Sequence, residues 1–292
     1  MNINLKKPII KLNAYARLMR LDKPIGILLL LWPTLWALWI ASEGIPNTVT
    51  LMIFIAGTVL MRSAGCVMND IADRKFDGLV ERTRNRPLAT GEVSVKEAYC
   101  VAGVLGLMAF SLVLIFNKTT ISLSFAALFL AISYPFTKRF LAIPQAYLGV
   151  AFGFSIPMAF AAVNNTVPIL AWVLLIANVF WAIAYDTQYA MVDRIDDLKI
   201  GIKSSAIFFG RFDVHAITVC YILMLGLLVY IGYMIGHEHY YYASLAVTIV
   251  LIYKQYNLIK WRDKLSCFKA FHDNNWIGLA IFLGILMDNW TN

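Results

Sequence analysis

Charge is what this chain has least of. Only 14% of its 292 residues are Asp, Glu, Lys or Arg, where a soluble domain carries about 25%. With 60% hydrophobic residues and a mean hydropathy of +0.70, an ordinary soluble domain is excluded and a polytopic membrane protein is expected. Cysteine is scarce too. Cys66, Cys100, Cys220 and Cys267 show no C-x-x-C spacing, so they read as core thiols and not as a metal site or disulfide framework. Of the four histidines, His237 and His239 flank Glu238 in what reads as a polar outer connector. The first apolar run follows 24 mostly polar residues and is long enough to span, so no cleavable signal peptide is expected.

Long apolar runs are abundant. Nine are long enough for roughly 30 Å of hydrocarbon: about 25–41, 48–67, 97–116, 119–136, 146–163, 168–185, 214–235, 240–257 and 274–290. The expected fold is all-α, with about nine transmembrane helices in a single domain over 1–292. Pro135, Pro144 and Pro157 interrupt the fourth and fifth runs and predict kinked or short helices there. With residues 1–24 inside, 24 of the 25 basic residues fall in inside segments (1–24, 62–96, 137–145, 186–211 and 254–273), leaving only Lys118 outside. The net charge of +8 is therefore a topology signal and not a nucleic-acid site. Inner-membrane localisation with a cytoplasmic N-terminus follows. Trp32, Trp36 and Trp39, at helical spacing, are expected to form an interfacial belt and packing face.

The few acidic residues are bunched. Seven of seventeen sit in two windows, Asn69–Asp77 and Asp186–Asp197. Carboxylates at membrane depth cost about 2.5–3.5 kcal/mol each near a helix centre, so something cationic must offset them. The windows follow the second and sixth runs, and a basic inside loop follows each. This suggests an old parallel duplication, two four-helix repeats plus one helix, with both windows on one membrane face. On a helix at about 100° per residue, Asn69, Asp70, Asp73 and Asp77 share one face. Asp186, Asp193 and Asp197 share another, with Asp196 about 80° away. Such oxygen-rich faces suit Mg²⁺ completed by substrate phosphates. Basic loop residues would finish neutralising a diphosphate, and the metals would take up charge as its C–O bond breaks.

The motifs Asn69-Asp70-x-x-Asp73-x-x-x-Asp77 and Asp193-x-x-x-Asp197 resemble the paired motifs of the intramembrane aromatic prenyltransferases, the UbiA superfamily. Further strings are similar to its branch that prenylates 4-hydroxybenzoate in ubiquinone synthesis. These are Arg17-x-x-Arg20-Leu21-Asp22-Lys23-Pro24, Arg86-Pro87-Leu88-Ala89-Thr90-Gly91, Tyr134-Pro135-x-x-Lys138-Arg139 and Tyr185-Asp186-Thr187-x-Tyr189-Ala190-Met191-Val192-Asp193. Pro144-Gln145 and Lys199-Ile200-Gly201-Ile202-Lys203-Ser204 are similar as well, and together the segments run from about residue 14 to 211. Ile195 departs from the commonest form of the second motif, but lies off its shared face. The resemblance implies helices around a central cavity. It also implies transfer of a polyprenyl group, octaprenyl by expectation, from polyprenyl diphosphate to the ring of 4-hydroxybenzoate, ortho to the hydroxyl.

Roles are assigned on that basis. Asn69, Asp73 and Asp77 hold one Mg²⁺, with Asp70 supporting; Asp193 and Asp197 hold the other. Asp186 either supports them indirectly or favours deprotonation of the phenol, a role Asp193 could take instead. Arg82, Arg86 and Lys203 are expected to bind diphosphate. Arg139, with Lys138 as second choice, is expected to bind the acceptor's carboxylate. Sister enzymes acting on a dihydroxynaphthoate, homogentisate or haem share the motifs. An ion-coupled transporter is the competing class, but its acidic groups belong near the bilayer midplane and not among Arg and Lys at span ends.

Overall fold

A computed structural model describes residues 6–291, so residues 1–5 of the expected cytoplasmic N-terminal segment lie outside the described residues. The described residues form twelve α-helices and no strand. In order they are α1 (Lys6–Leu18), α2 (Ile25–Ala41), α3 (Thr48–Asp73), α4 (Val95–Val113), α5 (Lys118–Thr137), α6 (Pro144–Gly153), α7 (Ser155–Asn164), α8 (Ile169–Ile200), α9 (Ser205–Phe209), α10 (Asp213–Ile235), α11 (His239–Ile259) and α12 (Lys264–Thr291).

Local chemistry sets their ends. Asn47 caps α3, its side chain accepting from the amides of Val49 and Thr50. Ser94 and Glu97 form a reciprocal capping box on α4, and Asn117 caps α5. Gly201, at φ +73°, ends α8 in the left-handed conformation that glycine adopts without strain.

Each of the nine apolar runs lies on helix, the fifth divided between α6 and α7. The three prolines explain that region. Pro135 sits near the end of α5, Pro144 opens α6 where its missing N–H costs nothing, and Pro157 lies in the first turn of α7. By length and composition, six helical segments can cross a membrane: Thr48–Asp73, Val95–Val113, Lys118–Thr137, Pro144–Asn164, Ile169–Ile200 and Ser205–Ile235. Helix α2 is apolar but shorter, at 17 residues. The chain is a multi-pass membrane protein; among the described residues six spans, not nine, meet that measure.

Helix α8 packs against α6, α10 and α12, and α2 against α7 and α12. The main core sits between them. Trp36 is fully buried, stacks on Trp181 with ring centroids 5.2 Å apart, and donates to the Gly278 carbonyl. Trp39 is also buried. The tryptophan run is thus a packing face; the interfacial part of that expectation does not hold for these two. Gly278 has no room for a Cβ, which would lie 2.3 Å from the Trp32 ring.

The back of α8 is fixed by buried polar groups. Gln188 donates to Tyr221 and Gln255, Asn274 donates to Gln188, and Trp181 donates to Asn274. In a region without water such groups must satisfy one another. The network holds α8 against α10, α11 and α12, leaving its opposite face to the second acidic window.

Candidate active site

Both acidic windows come to the same end of the helix bundle, but they are built differently. Helix α3 stops at Asp73, and Asp77 opens a 3₁₀ turn, Asp77–Leu79. Asp77 therefore reaches the site by a turn and not along the continuous helical face expected of it. The second window stays helical to Ile200, as expected.

The first window is buried. Asp70, Asp73 and Asp77 are 0%, 4% and 5% exposed. One oxygen of Asp70 accepts from Arg20 at 2.7 Å and lies 3.1 Å from Arg86. The same Arg86 nitrogen donates to both oxygens of Asp77, at 2.9 and 3.0 Å. Burial pushes the Asp77 carboxyl up to about 6, against the pull of the Arg86 charge. Asp73 accepts from Asn69 at 3.1 Å and from Lys138 through the same oxygen. Asp70 Oδ2 and Asp73 Oδ1 are buried with no hydrogen-bond partner.

The second window is looser. Arg82 grips both oxygens of Asp193, its Nε 3.0 Å from each, while its guanidinium lies 4.4 Å from the Tyr189 ring centroid. Asp197, one turn on, is half-buried. Asp196 points elsewhere and pairs with Lys199 at 3.5 Å, in agreement with the helix geometry. Asp186 lies deeper, on the wall of a cavity.

Three of the five expected substrate-binding bases, Arg82, Arg86 and Lys138, gather at the aspartates. The other two do not. Arg139 donates to the Ala72 carbonyl and lies over the Phe136 ring. Lys203 donates to the Phe140 carbonyl.

Two basic residues enter the site without an assigned role. Arg20, at φ +58°, closes over Asp70. Arg62 lines the cavity, donates to Cys66 Sγ at 2.7 Å and faces the Phe152 ring, while its Nε is buried and unpartnered. The signal for Arg62 was its place inside an apolar helix seven residues before Asn69, which puts it on the Asn69 face. Counting it as an inside-loop charge hides it.

The cavity, about 490 Å³, runs from Asn69, Arg82 and Arg86 past Arg62, Tyr134, Tyr185, Asp186 and Tyr189 to Phe54, Phe116 and Thr120 at the opposite ends of the helices. Its unpartnered buried polar atoms include Arg62 Nε and Tyr185 Oη. Among the described residues, no three His, Cys, Asp or Glu side chains are arranged to hold a metal ion; basic side chains hold the aspartates instead. The donor chemistry still fits a hard divalent cation. Two buried carboxylate oxygens, Asp70 Oδ2 and Asp73 Oδ1, have free lone pairs, and Asp73 also meets the Asn69 amide; Mg²⁺ needs only a few such ligands when phosphate oxygens supply others.

The sequence profile of the UbiA prenyltransferase family matches residues 30–284. The 4-hydroxybenzoate octaprenyltransferase of Methylobacillus flagellatus is 63% identical over 280 residues, 96% of this chain and 95% of that one. The enzyme of the same name from Azoarcus sp. is 63% identical over 278 residues, 95% of this chain and 97% of that one. Among solved structures, the apo UbiA homologue from Aeropyrum pernix K1 superposes with a TM-score of 0.78 at 25% identity, over 90% of this chain and 97% of that one. A UbiA homologue from Archaeoglobus fulgidus, bound to GPP and Mg²⁺, superposes with a TM-score of 0.67 at 19% identity, over 94% and 99%.

Proposed function

The chain belongs to the UbiA prenyltransferase family, and we propose that it transfers an octaprenyl group to the ring of 4-hydroxybenzoate, ortho to the hydroxyl, releasing diphosphate as a step of ubiquinone synthesis. The observation that carries this reading is one cavity with two chemical ends. Buried carboxylates and arginines form one end, and aromatic and aliphatic walls the rest. The enzyme names of relatives about 60% identical over nearly the whole chain support it, and the whole chain acts as one domain. We place the protein in the inner membrane with its Asp-bearing end cytoplasmic, from the distribution of Lys and Arg.

The residues divide the work as follows. Asn69, Asp73 and Asp77, with Asp70 beside them, would hold one Mg²⁺, and Asp193 with Asp197 the other. Bound there, Mg²⁺ would offset the negative charge of the diphosphate leaving group. Arg82 and Arg86, now paired with Asp193 and with Asp70 and Asp77, turn donors toward the diphosphate. The rings of Tyr134, Tyr185 and Tyr189 line the cavity, where they exclude water and face the allylic carbon with negative π-surfaces.

Arg62 replaces Arg139 as our choice for the acceptor's carboxylate, because it lines the cavity with an unpartnered Nε while Arg139 is engaged outside it. Asp186 takes the phenol proton. It lines the cavity, whereas the Asp193 carboxylate would be committed to the second Mg²⁺. The phenol oxygen then feeds electron density to the ortho carbon. The C1–O bond of the prenyl diphosphate breaks to give diphosphate and an allylic cation, the ortho carbon bonds to C1 of that cation, and the ring proton passes to the released diphosphate, which restores aromaticity.

The test is incubation of purified protein with octaprenyl diphosphate, Mg²⁺ and 4-hydroxybenzoate, followed by mass spectrometry. Octaprenyl-hydroxybenzoate is expected. Preference for a dihydroxynaphthoate or homogentisate in parallel reactions would overturn the acceptor assignment.

A further inference from the structure

Arg62 is held differently from the other arginines of the site. Arg20, Arg82 and Arg86 each pair with an aspartate. Arg62 instead donates from Nη1 to Cys66 Sγ at 2.7 Å, and its Cζ lies 5.5 Å from the Phe152 ring centroid. A thiol is a weak acceptor, and a ring face attracts a cation without fixing its direction. Neither contact alone aims a side chain with this much rotamer freedom.

The third contact is with Gly26, the buried second residue of α2, where alanine would be the better helix former. A Cβ built on Gly26 would lie 2.5 Å from both Nε and Nη2 of Arg62 and 2.9 Å from its Cζ. Non-bonded carbon rests at about 3.5–4.0 Å from its neighbours, so one methyl would push the guanidinium back by about 1 Å. A tight glycine elsewhere serves helix packing. On Gly149 of α6 a Cβ would lie 2.9 Å from the Val179 Cα of α8, and that backbone has nowhere to go. At Gly26 the obstacle is the movable end of a side chain. What this glycine fixes is therefore the place of a charge, and not the approach of two helices.

We propose that Gly26 is a positioning residue for the aromatic acid. Having no side chain, it lets the Arg62 guanidinium lie against α2, between Cys66 and Phe152, and so sets where the acid's carboxylate is bound. All four residues line the cavity. The carboxylate and the ortho carbon belong to one rigid ring, so an error in placing the first is carried to the second. A misplacement of about 1 Å can cost about a hundredfold in rate.

This inference rests on the reading of Arg62 as the carboxylate ligand, and the experiment separates the two. Gly26→Ala, Arg62→Ala, the double variant and Gly149→Ala are made in the full chain. Each is assayed for octaprenyl transfer, with KM measured for 4-hydroxybenzoate and for the donor, and for thermal unfolding in detergent. Gly26→Ala is expected to raise the KM for the acid by about tenfold or more. Its donor KM should stay within about twofold, and its Tm within about 2 °C. The double variant should match Arg62→Ala alone, because the added methyl then has nothing to displace. Gly149→Ala should show the opposite pattern, a lowered Tm with no selective change in the KM for the acid. An unchanged KM for the acid in Gly26→Ala, a further rise in the double variant, or a loss of Tm like that of Gly149→Ala would overturn the assignment of Gly26 while leaving Arg62 in place. An unchanged KM for the acid in Arg62→Ala would overturn the carboxylate reading, and the role of Gly26 with it.

Discussion

The two acidic windows look alike as sequence and differ as structure. The first is assembled from several pieces: the end of α3, a 3₁₀ turn, the bend after α1 that carries Arg20, the loop that carries Arg86 and the end of α5 that carries Lys138. Its three aspartates are almost fully buried. The second window is a face of one unbroken helix, held from the front by one loop arginine and from behind by the Gln188–Tyr221–Gln255–Asn274 network. The first depends on ion pairs between elements, the second on helix rigidity. One loop serves both, since Arg82 reaches the second window and Arg86 the first.

If both windows hold metal, the difference in build disappears in catalysis. Asp73→Ala and Asp193→Ala should each lower Mg²⁺-dependent transfer by about a thousandfold, as lost transition-state charge stabilisation does. Near-normal turnover in either variant would leave only one window carrying metal. Stability should separate the windows again. Arg86→Ala strips a partner from two buried carboxylates and should cost about 3–5 kcal/mol in detergent unfolding. Arg82, 30% exposed and with one carboxylate partner, should cost about 1–3 kcal/mol when replaced by Ala. Equal losses would contradict the contrast. Arg62→Ala should raise the KM for 4-hydroxybenzoate by about tenfold or more, while Arg139→Ala leaves the ratio of acceptor to donor KM unchanged. A selective effect of Arg139→Ala would restore it as the carboxylate ligand. The smallest effect is expected at Asp196, off the shared face and paired only with Lys199. Asp196→Ala should change stability by no more than about 0.5 kcal/mol and leave transfer intact.

Much of this arrangement was legible in the chain. Apolar run length located the helices, proline marked the break between α6 and α7, and angular arithmetic excluded Asp196. The arithmetic failed at Asp77 because it assumed an unbroken helix, while α3 ends at Asp73 and a 3₁₀ turn brings Asp77 back. Pairing was the least legible feature. Lys138, Arg139 and Lys203 look equivalent as inside-loop charges, and only the packing of α5 and α6 against α3 and α9 decides that Lys138 meets Asp73 while the other two meet backbone carbonyls. Arg62 was concealed because the topology count treats every basic residue near a span end as a loop charge.

The central claim is that these carboxylates, held by arginine and lysine in the protein alone, serve a divalent cation that arrives with the diphosphate. Calorimetric binding of a non-ionisable thiolo analogue of the prenyl diphosphate, with Mg²⁺ and with EDTA, tests it most directly. The account predicts binding only with Mg²⁺, lost in both Asp73→Ala and Asp193→Ala. Equal affinity in EDTA, or undiminished Mg²⁺-dependent binding by either variant, would contradict it.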